Sequence, residues 1–131
     1  MSYLVDSDVL MSALNGRLTA ASLLRRHQHE GLSISYVSVG EIFDGVLGSS
    51  EPERNLETAR IFLDPFDLLT LNDAAMLRFA QLRVDLRRQG QLIPDFDLLI
   101  AATALVHALT LNTGNQRHFQ RVPGLALEGY E

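Results

Sequence analysis

Residues 93–105 read IPDFDLLIAATAL, and behind two acids near its start this segment carries no polar face. A helix that is apolar all round has to be enclosed by the rest of the protein. The charge-free run from Leu98 to Leu111, which includes His107, falls short of the ~20 residues that cross a bilayer. The segment therefore predicts a buried core helix from about Asp95 to Ala108. A chain of 131 residues suits one domain built around such a core. The opening MSYLVDSDVL has no basic flank and holds Asp6 and Asp8 inside its apolar run, so no signal peptide is expected. A soluble, cytoplasmic protein is the expectation.

The remaining pattern supplies the layers around that helix. Tyr3–Val5 is a short apolar run ending at Asp6 and reads as a buried strand. Ser7 or Asp8 is placed to cap a helix through about Leu14, and Leu18–His29 continues as a second helix before Gly31. Leu32–Ser35 alternates apolar and polar residues, as a strand does. Ser38, with Glu41 three residues on, has capping-box spacing at the head of a helix whose apolar face is Val39, Ile42, Phe43 and Val46. Glu51–Leu63 is a further helix with Pro52 in its first turn, and Phe66–Leu71 a third strand. Asn72 caps a long helix to about Gln89, with Ala75, Phe79, Leu82 and Leu86 on one stripe. Thr110–Asn112 and Leu125–Leu127 are short final strands. Strands alternating with helices indicate an α/β sandwich around a mainly parallel sheet, where functional groups gather at the strands' carboxyl ends.

Composition removes several chemistries. Cysteine is absent, which excludes disulfides, thiolate zinc sites and cysteine nucleophiles. No glycine-rich phosphate loop of Walker or Rossmann form occurs, and Ser7 has no histidine base near it in sequence. The net charge of −5 argues against a general electrostatic grip on nucleic acid. All eleven basic residues are arginine, however, and a local arginine patch remains open because guanidinium suits bidentate phosphate contacts.

The acids are then the informative residues. Asp95 needs no explanation beyond the free N–H groups and dipole of a helix start, and Glu41 has its capping box as a structural explanation. Asp97 shares its helical face with Ile100, Ala101 and Ala104, so it points inward. Asp6 ends a buried strand with no basic residue nearby in sequence. An inward carboxylate costs several kcal/mol unless it is protonated or partnered. A shared Mg²⁺ or Mn²⁺ would partner such acids together, since these ions prefer hard oxygen ligands. His27, His29 and His107 lie near helix ends, and His118 is open to facing either a ligand or solvent.

Taken in order, YLVDSDVL, SVGEIFDGVL, a long arginine-bearing helix, IPDFDLLIAATAL and TLNTGNQRHF resemble a PIN-domain ribonuclease, specifically the VapC-type toxins of toxin–antitoxin operons. The resemblance covers essentially the whole chain, with DLLIAATAL its most specific piece. It implies a three-layer α/β/α sandwich and an Mg²⁺- or Mn²⁺-dependent endoribonuclease. Asp6, Glu41 and Asp97 match the catalytic, metal-holding acids, Ser7 the hydroxyl beside the first acid, and Asp95 a companion acid. Asn115 stands where the family often carries a fourth acid; it keeps a carbonyl oxygen but no charge, so a complete second metal site is not implied. Arg83, Arg87, Arg88, Arg117 and Arg121 are the candidates for engaging an RNA backbone around an acidic pocket. The resemblance further implies structured RNA such as tRNA or rRNA as substrate, a homodimer, and a VapB-like antitoxin covering the pocket. The faces of Val37–Leu47 and Glu51–Leu63 suit either those interfaces or the monomer's own core.

Three other readings stand beside this one. DSDVL has the paired aspartates of a haloacid-dehalogenase-like phosphotransferase, but Leu10 replaces the expected threonine and the chain has no lysine. A catalytically impaired PIN fold kept for interaction is the second. The third is a PIN ribonuclease outside any toxin–antitoxin pair.

Overall fold

A computed structural model describes residues 2–129. The elements run β1 (Tyr3–Val5), α1 (Ser7–Leu14), α2 (Leu18–His27), β2 (Leu32–Ser35), α3 (Tyr36–Leu47), α4 (Pro52–Leu63) and β3 (Asp67–Leu69). They continue with α5 (Asp73–Arg88), α6 (Asp95–Val106), β4 (Thr110–Asn112), α7 (Gln116–Phe119) and β5 (Leu127–Glu128). The sheet order is β3-β2-β1-β4-β5, and each neighbouring pair is parallel. β1 is therefore central, which explains why its three residues are all apolar and buried.

Successive strand residues face opposite sides, and β1 uses this to seed two cores. Leu4 packs with Leu82 and Leu86 of α5 and Leu98, Ile100, Ala101 and Ala104 of α6. Val5 faces the other way, against Val9, Leu10, Leu23, Ile34 and Ile42, in the layer that α1 to α4 provide. The result is the three-layer α/β/α sandwich. α6 is the apolar helix of the sequence, and Leu98 and Ile100 are fully buried. Truncating either to alanine would cost about 2–5 kcal/mol.

Several boundaries differ from the sequence reading, and one difference bears on function. α3 begins at Tyr36 and is capped by Ser35, whose hydroxyl accepts from the Val37 N–H at 3.1 Å. Ser38 lies inside the helix, buried, so it is not the cap. Glu41 therefore sits well past the first turn, and the capping-box explanation of its carboxylate fails. At α1 the cap is Asp6 rather than Ser7 or Asp8. α2 ends at His27, β3 and α6 are shorter than expected, β5 is displaced to Leu127–Glu128, and α7 is an additional helical turn. The apolar face of α3 is turned inward, with Val39, Ile42 and Val46 buried, as are Ala59 and Leu63 of α4. Those five residues belong to the monomer's core, while Leu47 and Ile61 on the same helices are exposed.

Candidate active site

Parallel pairing brings the carboxyl ends of β1, β2 and β4 to one edge of the sheet, and the acids collect there. The Asp6 N–H still donates to the Asn112 carbonyl at 2.9 Å, so Asp6 leaves β1 with its backbone tied to β4. Its extended backbone and its position before α1 make it the N-cap: Oδ1 accepts from the Ser7 N–H at 2.8 Å. Oδ2 accepts from the Thr113 hydroxyl just after β4, also at 2.8 Å. Asp6 is only 4% exposed.

Three further carboxylates surround it. Asp8, two residues on, accepts from Val9 N–H at 2.8 Å and Gly114 N–H at 2.9 Å. Glu41 reaches over from α3 and accepts from the Ser7 hydroxyl at 3.0 Å. Asp97, in the first turn of α6, has its Oδ2 2.8 Å from Nδ1 of His118 on α7. That same nitrogen is 2.9 Å from the Asn115 side-chain amide.

The electrostatics report crowding. Burial, then the Asp8 charge and to a smaller degree Asp97, push the Asp6 carboxyl up to about 7 against the hydrogen bonds from Thr113 and Ser7. Burial also raises Asp8, with Asp97 adding to it. Glu41 is raised by burial and then by Asp97 and Asp8, while Ser7 opposes the shift. Each of these acids feels others of the group. Among the described residues no arginine pairs with Asp6, Asp8, Glu41 or Asp97.

Such a donor set, hard carboxylate and hydroxyl oxygens with unrelieved negative charge, is chemically suited to Mg²⁺ or Mn²⁺. Among the described residues no group of three or more His, Cys, Asp or Glu side chains stands ready-made around an ion position. Each acid is instead held by a neighbour: Ser7 holds Glu41, Gly114 holds Asp8, and His118 holds Asp97. Those contacts engage one oxygen of each acid, Oε1 of Glu41 and Oδ2 of Asp97, so holding a cation would fall to the other oxygen while Ser7 and His118 stay in place.

The other residues singled out from the sequence are dispersed. Asp95 points away from the cluster and pairs with Arg83, Nε to Oδ1 at 3.0 Å. Arg121 donates to the Leu92 carbonyl at 2.9 Å, and Arg87 and Arg88 are exposed at the end of α5. Arg117 is the one of the five that borders the acids, lining a cavity of about 540 Å³ with Asp8, Thr113 and Asn115. Sequence reasoning missed Asp8, Thr113 and His118. Asp8 had a legible signal, the DSD spacing at the head of α1; the contacts of Thr113 and His118 span 107 and 21 residues and had none.

The protein is thus a parallel α/β sandwich with a pocket of carboxylates beyond its central strand. The PIN domain family model matches residues 3–125, and the chain belongs to that family. It is similar to the VapC ribonucleases within it. It is 31% identical over 131 residues to the tRNA(fMet)-specific endonuclease VapC of Shigella flexneri, covering 99% of this chain and 98% of that protein. Identity to Ribonuclease VapC2 of Rickettsia felis is 29% over 133 residues, covering 100% of this chain and 99% of that one. The crystal structure of VapBC2 from Rickettsia felis bound to a promoter DNA fragment has a TM-score of 0.93 at 28% identity over the full length of both chains. DNA-bound VapBC from Salmonella typhimurium, at 24% identity over 100% of this chain and 99% of that one, shares the fold with a TM-score of 0.92.

Proposed function

We propose that this protein is a divalent-metal-dependent endoribonuclease acting as the toxin of a toxin–antitoxin pair. The observation that carries the reading is the convergence of Asp6, Asp8, Glu41 and Asp97, buried or half-buried, without a cationic lysine or arginine to neutralise them. Asp6, Glu41 and Asp97 are assigned as the metal-holding catalytic acids, with Asp8 as a fourth. Mg²⁺ or Mn²⁺ held by these acids would supply Lewis acidity toward the scissile phosphate and the attacking water. Ser7 orients Glu41, Thr113 orients Asp6, and His118 orients Asp97, which is the usual role of partners outside the ligand set. Arg117 faces the approaching backbone from beside the acids. No protein nucleophile is required.

The substrate class is structured RNA of the tRNA or rRNA kind, cut in an unpaired loop, in the cytoplasm. A VapB-like antitoxin covers the acids, and the toxin forms a homodimer. Support comes from the named relatives, which include VapBC complexes and a tRNA-specific endonuclease. Purified protein is expected to cut structured RNA with Mg²⁺ or Mn²⁺ and to stop with EDTA, while Asp97→Asn folds but does not cut. Equal cutting by wild type and variant would overturn the assignment. Failure of both to cut would leave a PIN fold kept for interaction.

A further inference from the structure

Phe96 lies between Asp95 and Asp97 in the first turn of α6 and is 56% exposed. It joins neither core cluster, and among the described residues no aromatic ring packs on it. Its ring borders a cavity of about 730 Å³ whose other apolar walls are Val37, Leu71 and Leu99. Glu41 lies in the same wall system, so this apolar recess opens directly beside the acid cluster. The cavity that Arg117 lines borders the acids through Asp8 instead. One recess is polar and carries the cation Arg117 beside Asp8; the other is apolar and its charged wall groups, Glu41 and Asp44, are both acids.

We propose that Phe96 is a stacking platform for an unpaired RNA base next to the scissile phosphate. This rests on the ribonuclease reading and deepens it. For a strand crossing the acids, the Arg117 side offers a guanidinium to a phosphate, whereas the Phe96 side offers it no cation. What the Phe96 side accepts is flat and uncharged, which describes a nucleobase. Stacking on an aromatic ring tolerates any base, since each has a π-face, and it is open only to bases freed from a helix. Phe96 thereby selects for single-stranded loops without reading their sequence.

The chain has no tryptophan, so Phe96→Trp places a single indole reporter in the recess. Titrating that full-length variant with a short unstructured ribo-oligonucleotide is expected to quench the indole, and inorganic polyphosphate is expected not to. Phe96→Ala is expected to bind the same oligonucleotide about tenfold more weakly than wild type. With an oligonucleotide of abasic sites the two should bind equally. Equal affinity of wild type and Phe96→Ala for the base-bearing oligonucleotide, in a protein that still cuts RNA, overturns the stacking role alone. A Phe96→Ala protein that changes oligomeric state on a sizing column while keeping its RNA affinity reassigns the recess to a protein interface and overturns it too. If wild type neither binds nor cuts any RNA, the ribonuclease reading falls and this proposal falls with it.

Discussion

The Ser7 hydroxyl donates to Oε1 of Glu41 across 3.0 Å, joining residues 34 positions apart and tying the first turn of α1 to the body of α3. Ser7 is thus more than a neighbour of Asp6: its N–H serves Asp6 and its hydroxyl serves Glu41. Ser7→Ala removes the second contact and keeps the first. We expect ribonuclease activity to fall roughly 10–100-fold, as for other partners of metal-site carboxylates. Thermal stability should change by about 1 kcal/mol or less, since the hydrogen bond is only part-buried. A steady-state cleavage assay beside a melting curve checks both; unchanged activity would separate Ser7 from the site.

The pH dependence of stability follows from Asp6. Its carboxyl ionises near 3.8 in an unfolded chain but is pushed up to about 7 in the fold by burial and by Asp8. Between those pH values the native state keeps a proton that the unfolded chain has released. Stability therefore falls as pH rises through that window, and Asp8 and Glu41 shift in the same direction. A tenfold change in proton affinity is worth about 1.4 kcal/mol, so Asp6 costs the fold several kcal/mol at most by pH 8. Asp6→Asn keeps an oxygen for the Ser7 N–H and removes the charge. In EDTA at pH 8 it should melt higher than wild type, with the gap closing towards pH 4. A wild-type advantage at pH 8 without metal would contradict the crowding.

His118 holds Asp97 from α7, Nδ1 to Oδ2 at 2.8 Å. His118→Ala leaves that carboxylate without its side-chain partner and should weaken Mn²⁺ binding about 10–100-fold by loss of orientation. Calorimetric titration with Mn²⁺ measures this. Tighter binding in the variant would show instead that the imidazole holds Asp97 away from the ion.

A second histidine has a purely structural task. His27 is buried at the end of α2, stacks on Tyr3 at 4.1 Å, and places its ring nitrogens 3.1 Å from Glu30 and 2.8 Å from Glu128. Glu128 also accepts from the Asn112 amide at 2.8 Å, so the network pins α2 to β4 and β5. His27→Ala should cost about 2–4 kcal/mol from lost packing and orphaned acceptors. Because it lies away from the acids, Mn²⁺ binding by the folded fraction should be unaffected.

Much of this architecture could be read in advance where local signals were self-sufficient. Tyr3–Val5 is a short apolar run followed by a polar residue, and both it and Thr110–Asn112 match the sequence reading. Asp6 was legible because an acid after a buried strand has few structural excuses. The start of α3 was not, because Ser35-Tyr36-Val37 continues the pattern of β2 and hides the cap. α7 was not, because a single helical turn shows no period. Asp8 looked like a helix cap, and only the approach of Gly114 from the neighbouring strand end turns it into a member of the cluster. Thr113 and His118 owe their places to strand pairing and helix packing, which spacing along the chain does not encode.

The most direct test is Mn²⁺ binding followed by electron paramagnetic resonance on wild type, Asp6→Asn, Asp97→Asn and Asp95→Asn. Asp95 is paired with Arg83 outside the cluster and serves as the acidic control. Wild type and Asp95→Asn are expected to bind the ion alike, while Asp6→Asn and Asp97→Asn lose it. Undiminished binding by Asp6→Asn and Asp97→Asn would show that these acids do not hold the metal, and the proposed mechanism would be wrong.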